Sequence, residues 1–530
     1  MSIVDQALDR TAAITAATSD WLNPILIKET RQATQSKLFW TVFLLFVALS
    51  WIVLVLGTLA MWGELETQPT AEVFFWWNFS VLSFAILVVV PFGAYRSLLS
   101  ERELHTYDLL RITTLSPRQI VRGKLGTSLL QIVVYYSAIA PFIAFTSFLQ
   151  GFDVVWISWV LVMSFLWSMA LCTGALLTGI SSRQNQWQSA NMVGLVVMLL
   201  IGWGVVLSFV VQGRRAVDFE DPDFWWVNGI TLLAAVSYVI LAGQVIVARL
   251  TFASGNRSTG IRVVLVLQFW LVVAVVGLIA VSGRPIVFDP DFQMTMGVLV
   301  LLHWTGAGLF LATESDFLSR RIRRRLPGNR LLRLLAAPFL PGGATGTVLV
   351  LGHLVLIGVG LLVSAFGVAS VPYTAERVQT LVIILLNVII WVGVASVLAR
   401  WCRKLSVRFT PAAVRVLTVT LFVIVQIIST IPAMLDSDMA RDLVWMSALS
   451  PFLMSSAVSD FHGIYSGFGA SFSSYAIAWT IVIATAVLAL VINLPAMLAG
   501  VARIVRDPGP DAHRGDTQAI PPPPEEPIGA

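Results

Sequence analysis

Long apolar runs alternate with short polar segments along most of this chain. About 20 apolar residues in helical form are needed to cross the hydrocarbon of a bilayer, and a backbone there must satisfy its own hydrogen bonds. Twelve runs meet that length: Phe39–Trp62, Val73–Tyr95, Leu125–Leu149, Val154–Ile180, Asn191–Val211, Trp225–Val247, Val263–Val281, Met294–Ala312, Thr345–Val368, Val378–Leu398, Val416–Leu435 and Tyr475–Leu498. The pattern predicts an all-α polytopic membrane protein with about twelve transmembrane helices in two sets of six.

Composition supports the same class. Of the 530 residues, 57% are apolar and 12% are charged, whereas soluble domains carry about 25% charged residues. The first apolar run is too long for a signal peptide and should stay in the protein. The 2 cysteines, Cys172 and Cys402, predict unpaired thiols and no disulfide framework.

The distribution of basic residues predicts the orientation. With the amino terminus in the cytosol, only Arg214, Arg215, Arg284, Arg377 and Arg441 fall outside, and the other 29 of the 34 Lys and Arg residues lie inside. Basic loops stay in the cytoplasm, so both termini are expected there. The predicted parts are a cytoplasmic lead-in at 1–38, six-helix regions at 39–250 and 251–505, and a Pro-rich disordered tail at 506–530.

A polar, mostly basic segment at 96–124 separates the second and third runs. We predict one short helix over Glu101–Arg111. Ser116 and Pro117 predict the start of another, with Ser116 as the N-cap and Pro117 at the first helical position. Arg118, Arg122 and Lys124 could contact lipid headgroups. The segment is expected to form a helical bracket at the cytoplasmic surface.

The lead-in contains a second candidate element. Asn23 and Pro24 form a plausible cap and first-turn pair. Ile25, Leu26 and Ala33 can share one side of a helix, opposite Lys28, Arg31 and Gln35, with Glu29 also in the segment. This pattern predicts an amphipathic helix lying on the membrane surface.

These two stretches together resemble the membrane subunits of ABC-2-type exporters. The polar segment carries Glu-Arg-Glu, a Thr, Leu-Leu, Thr-Thr-Leu-Ser-Pro and Gly-Lys in the order of that family's loop between its second and third helices, although His105 stands where the family usually has Gly. The Asn-Pro opening resembles the family's surface helix. The resemblance implies docking of a separate ATPase on Glu101, Arg102, Glu103, Thr106, Asp108, Leu109, Leu110, Ser116 and Pro117, and a surface helix bearing Asn23, Pro24, Lys28, Glu29 and Arg31.

The predicted cytoplasmic loop at 314–343 is the most basic part of the chain, with seven arginines between Arg320 and Arg333. One interpretation is an orientation signal attracted to anionic lipid. The other is a second docking surface for the ATPase, because the loop follows the second helix of the second six. The second six lacks a copy of the Glu-Arg-Glu and Thr-Leu-Ser-Pro strings.

No chemistry of its own is expected from this chain. It has no G-x-x-x-x-G-K-[ST] loop for phosphates, no predicted catalytic or metal-binding residues and no predicted cofactor, so ATP would bind the partner subunit. We expect a multi-pass permease in the cytoplasmic membrane, not an enzyme, with a cytoplasmic ABC ATPase and the lipid bilayer as partners, a possible homodimer or second permease, and no nucleic acid. The alternatives are an ion-coupled twelve-helix secondary transporter and a non-transporting scaffold for an ATPase. The substrate is not predicted.

Overall fold

The structure is a computed structural model that describes residues 23–65, 67–103, 116–181, 185–214, 217–252, 255–282, 290–316, 318–367, 374–405, 410–435, 443–455 and 472–506. Within these ranges the chain is helical and contains no β-strand. The predicted tail at 506–530 lies outside them beyond Arg506. The all-α prediction is confirmed for the described part.

Twelve helical segments of the described chain are long and apolar enough to span a membrane. Those of the first half are α2 (Lys37–Ala60), α3 (Ala71–Phe84) continued by α4 (Val90–Glu103), α5 (Pro117–Phe145), α6 (Val154–Ser181), α7 (Asn185–Gly213) and α8 (Pro222–Leu250). Those of the second half are α9 (Thr259–Val281), α10 (Pro290–Ala312), α13 (Gly343–Gly367), α14 (Thr374–Leu405), α15 (Pro411–Leu435) and α16 (Phe472–Val505). Shorter helices are α1 (Pro24–Gln35), α11 (Arg320–Arg323) and α12 (Arg330–Ala336). The prediction of about twelve spans is therefore confirmed.

Apolar side chains cover the outside of these helices as well as the inside. On α2, for example, Leu56 is 60% exposed and Leu59 is 66% exposed. An apolar surface of this extent is stable only when hydrocarbon replaces water around it. The chain is a multi-pass membrane protein.

The chain divides into two compact units, one from Met1 to Thr251 and one from Phe252 to Ala530. In unit 1, α6 packs on α4, α5 and α8, and α5 also packs on α4 and α8. In unit 2, α14 packs on α10, α13 and α16, and α13 also packs on α10 and α16. The fourth span is thus the centre of each unit, and the second, third and sixth spans surround it in the same pairings.

The second span changes helical register near its middle. Between α3 and α4, residues Ala85–Val89 form a π-turn, in which the Val90 N–H bonds to the Ala85 carbonyl. In that register the Ile86 carbonyl would receive the N–H of residue 91, but Pro91 has none. The Ser168 hydroxyl of α6 donates to the Ile86 carbonyl at 2.6 Å instead. The side chain of one span therefore completes the backbone hydrogen bonding of another.

The helices of the second and third spans extend further into the polar segment between them than predicted. The helix of the second span continues through Glu103, so Glu101 to Glu103 belong to that helix and do not begin a separate one. The third span begins at Pro117, not at Leu125, and Ser116 caps this long helix, not a separate surface helix. Helical hydrogen bonds continue through polar residues at a membrane surface, which explains why the apolar boundaries mislocated both ends. The rest of the predicted helix Glu101–Arg111 lies outside the described residues.

Candidate functional site

The amphipathic helix α1 starts where the sequence predicts. The Asn23 carboxamide oxygen accepts a hydrogen bond from the Ile25 N–H, and Pro24 occupies the first turn. Ile25 is buried, while Lys28 and Arg31 are exposed on the other side. The cap and the sidedness both follow from the residue pattern.

Helix α1 packs tightly against the beginning of α5 because α5 presents glycines there. A Cβ on Gly123 would lie 2.8 Å from the Ile25 Cβ, so the absence of a side chain permits this approach. The Asn23 side chain also donates to the Gln119 carbonyl at 2.5 Å. Helix α1 therefore rests on protein, along the first turns of the third span.

A buried ion pair connects α1 to α5. The Lys124 ammonium lies 2.5 Å from a carboxylate oxygen of Glu29, and the two side chains are 2% and 11% exposed. The same ammonium donates to the Ser97 carbonyl of α4 at 3.2 Å. A paired ammonium with several acceptors tolerates burial that an isolated one would not. The ammonium group of Lys124 thus connects α5 to both α1 and α4.

The start of α5 is fixed by a reciprocal cap. The Gln119 side chain accepts a hydrogen bond from the Ser116 N–H at 2.8 Å, and the Ser116 hydroxyl accepts from the Gln119 N–H at 3.4 Å. This capping box satisfies helix-end groups that would otherwise lack partners. Gln119 therefore serves both the cap and the contact with Asn23. The residues that join α1, α4 and α5 form what we call the α1 platform: Asn23, Ile25, Glu29, Ser97, Gln119, Gly123 and Lys124.

The structure brings together only some of the predicted site residues. Asn23, Pro24 and Glu29 contribute to α1 and its contacts, and Ser116 and Pro117 begin α5. The backbones of Glu101, Arg102 and Glu103 end α4. The predicted docking residues that lie outside the described part are Thr106, Asp108, Leu109 and Leu110.

The structure changes the assignments of two charged residues, Lys124 and Glu29. Arg118 and Arg122 are exposed, as headgroup contact requires, but Lys124 is buried and bound to Glu29. Glu29 was predicted only as a polar residue of a surface helix. Its separation of 95 residues from Lys124 hides the pair from any local pattern. The close spacing of Gly123 and Gly126 was the available signal that another helix would pack there.

No family model, curated protein or solved structure matches this chain. The resemblance to ABC-2 permeases therefore rests on the residues of the two sequence stretches alone.

Unit 2 also contains a buried charge, Arg262, which precedes the predicted apolar run Val263–Val281 by one residue. Arg262 lies in the first turns of α9 and its side chain is fully buried. Its guanidinium donates to Glu314 at 2.6 Å, to the Ser258 and Thr345 hydroxyls at 2.8 and 3.0 Å, and to the carbonyls of Pro338, Leu340 and Gly342 at 2.8, 2.5 and 2.8 Å. Arg262 therefore binds both ends of the loop between α10 and α13.

A second arginine supports the same loop from α14. Arg403 donates to the Glu314 carbonyl at 2.9 Å and to the Asp316 carboxylate at 3.4 Å. Asp316 in turn accepts a hydrogen bond from the Ala344 N–H at the start of α13, at 3.0 Å. The loop ends are held by hydrogen bonds to charged groups, which are stronger than neutral ones.

Unit 1 also has an apolar cavity of about 430 Å³, lined mainly by residues of α6, α7 and α8. Apolar and aromatic side chains such as Trp159 and Phe209 form most of its wall, and its polar lining residues are Ser164, Asn228 and Thr231. Pockets of about 300 to 1,000 Å³ are the size that holds small organic ligands. The cavity is large enough for an apolar molecule or part of an acyl chain.

We expect the substitution Gly123→Ala to loosen α1. The new methyl group would meet the branched Cβ of Ile25 at 2.8 Å, which cannot rotate away, so the helices must separate. Overpacking of this kind costs about 1 to 3 kcal/mol. Hydrogen exchange of the α1 amides, measured by mass spectrometry, should become faster by the factor to which this loss of free energy corresponds.

The matched control is Gly93→Ala in α4, where an added Cβ would meet nothing within 4 Å. This variant should leave α1 exchange unchanged and stabilise its own helix slightly. Equal exchange in the two variants would show that α1 does not pack on Gly123.

Proposed function

We propose that this chain is the membrane subunit of an ABC-2-type exporter in the cytoplasmic membrane. A separate cytoplasmic subunit would bind and hydrolyse ATP, and this chain would supply the path for the cargo. The residues that resemble the family's docking loop, between α4 and α5, carry the proposal together with the Asn-Pro surface helix.

The observation that best supports this function is the α1 platform. Lys124 connects α5 to Glu29 of α1 and to Ser97 of α4. These helices include α4 and α5, which carry the two ends of the proposed docking loop, Glu101 to Pro117. A force applied to that loop would therefore act on the second span, the third span and α1 together. Such coupling is what a permease needs to convert closure of a partner ATPase into helix movement.

The repeated pairings in the two units suggest how many copies are needed. In each unit the fourth span packs on the second, third and sixth spans. We infer that the two units serve as the two halves of one permease, so that a single chain takes the place of a homodimer. The loop between α10 and α13 then corresponds in position to the docking loop of unit 1.

The cavity between α6, α7 and α8 favours a cargo that is apolar or has an apolar part. Its wall offers three polar side chains, Ser164, Asn228 and Thr231, and none that is charged. A strongly hydrophilic cargo would lose its hydration there without compensation.

Affinity purification in mild detergent tests the proposal. We expect the wild-type chain to retain an ATP-hydrolysing subunit, and the double reversal Glu101→Lys with Glu103→Lys to release most of it, because a docking surface tolerates charge inversion poorly. The control reverses two acidic residues near the ends of spans that the charge pattern assigns to the outside, Glu64→Lys and Glu220→Lys, and should retain the subunit.

The rival functions predict other results. Recovery of the chain without an ATPase, together with transport that collapses with an ion gradient, would favour a secondary transporter. Recovery of an ATPase whose hydrolysis no cargo stimulates would favour a scaffold. Binding that survives reversal of Glu101 and Glu103 would contradict docking at this loop.

A further inference from the structure

We propose that the folded loop between α10 and α13 docks on an anionic lipid surface through a face made of exposed arginines and leucines. This arginine–leucine face consists of Arg320, Arg321, Arg324, Arg325, Arg330, Leu331, Leu332, Leu334 and Leu335. The inference concerns lipid binding by unit 2 and does not depend on the proposed transport function.

The loop has a packed inner side of its own. Leu318, Ile322, Leu326, Ala337 and Leu340 are buried in one cluster with Ile504, near the end of α16. Arg262 and Arg403 also bind its two ends. The described part of the loop is therefore folded against unit 2 through its inner side, and the remaining side chains are left on its outer side.

Helix α12 buries one of its arginines, Arg333, and exposes its four leucines. Arg333 is only 5% exposed and donates to the Pro327 carbonyl at 2.5 Å. The four leucines of α12 are 47% to 62% exposed. At 3.6 residues per turn they cover an arc of roughly 160°, opposite Arg333. In water this arrangement would expose apolar surface that the same sequence could bury by rotating the helix, so the outer face requires an apolar partner.

The charged part of the face selects an anionic partner. The five arginines of the face are exposed, and no Asp or Glu occurs between residues 318 and 343. Near a membrane surface each basic side chain contributes about 1 kcal/mol of attraction to anionic lipid. Exposed arginines and leucines that lie within 16 residues of one another in the chain, from Arg320 to Leu335, match the headgroups and the acyl boundary of a leaflet.

The position of the loop favours lipid over a protein partner. Candidate spans end at Ala312 and begin at Gly343, so the loop starts and finishes at the membrane surface. Its inner side packs against Ile504, near the end of another span, α16. A leaflet is thus within reach of the leucines without any movement of the loop.

Depth-dependent fluorescence quenching tests the proposal on the full chain in nanodiscs. A bimane label on Leu332→Cys reports the position of α12, because the native Cys172 and Cys402 are both buried. We expect lipids brominated on the acyl chain to quench the label, and brominated phosphatidylglycerol to quench several-fold more strongly than brominated phosphatidylcholine at the same mole fraction.

Two variants of the labelled chain separate charge from burial. Replacing Arg320, Arg321, Arg324 and Arg325 by Gln should abolish the preference for the anionic lipid, and replacing the same four by Lys should preserve most of it. Quenching by aqueous iodide with no quenching by brominated lipid would overturn the proposal. Protection of the label only after a cytoplasmic ATPase is added would also overturn it and would identify the face as a protein-docking surface.

Discussion

Replacing Lys124 by Met is expected to release α1 from the membrane domain. The substitution removes the ammonium that lies 2.5 Å from Glu29 and leaves that carboxylate, 11% exposed, without its nearest opposite charge. Breaking a buried ion pair from one side costs about 3 to 5 kcal/mol. Hydrogen exchange of the α1 amides in the purified protein should accelerate by the corresponding factor, because local opening of α1 requires less free energy.

Two further variants show whether the pair itself is responsible. The double substitution Glu29→Met with Lys124→Met should restore much of the protection, since a buried pair replaced on both sides by apolar groups is often tolerated. Lys28→Met, next to Glu29 but exposed, should change the free energy of α1 opening by no more than about 0.5 kcal/mol. If the double variant loses as much α1 opening free energy as the two single variants lose in sum, then Glu29 and Lys124 are not coupled.

The largest loss of stability is expected from Arg262→Met. This substitution leaves the Glu314 carboxylate without the guanidinium, together with the carbonyls of Pro338, Leu340 and Gly342. Removing a fully buried charge partner and several hydrogen bonds at once places the cost at about 4 to 5 kcal/mol or above. Thermal unfolding in detergent should show a clearly lower midpoint, and exchange should rise for amides between residues 337 and 345.

The conservative variant Arg262→Lys should recover only part of this stability. A lysine ammonium has three donors, whereas the guanidinium makes hydrogen bonds to six acceptors in several directions. Arg249→Met, at an exposed position near the end of α8, serves as the control and should leave the midpoint nearly unchanged. Equal midpoints for the Met variants at 262 and 249 would contradict the role of Arg262.

The number of spans could be predicted because hydrocarbon imposes a length on every apolar run, whatever its neighbours. The ends of the helices could not. The apolar run Val73–Tyr95 belongs to a candidate span that extends over Ala71–Ser100, since hydrogen bonding along a helix does not stop where polar residues begin. Ser116 and Pro117 located one end correctly, because a cap is a local interaction between neighbouring residues.

Side chains that pair only in the folded protein could not be predicted, because their interactions are not local. Lys124 reads as one more basic residue of a surface segment, and only the packing of α1 on Gly123 brings Glu29 to it. Arg333 likewise reads as one of the seven arginines of a basic loop, yet α12 buries it. In both cases a charge that the pattern assigned to the surface lies inside, where its partner is distant in sequence or is a backbone carbonyl.

Proline at position 91 also links two transmembrane helices that are far apart in the chain. The Ile86 carbonyl accepts its hydrogen bond from the hydroxyl of Ser168, so a rotation of α3 relative to α4 at this turn must break the bond or move that part of α6 with it. Rotation of the second span and displacement of the fourth span are therefore coupled at this hydrogen bond.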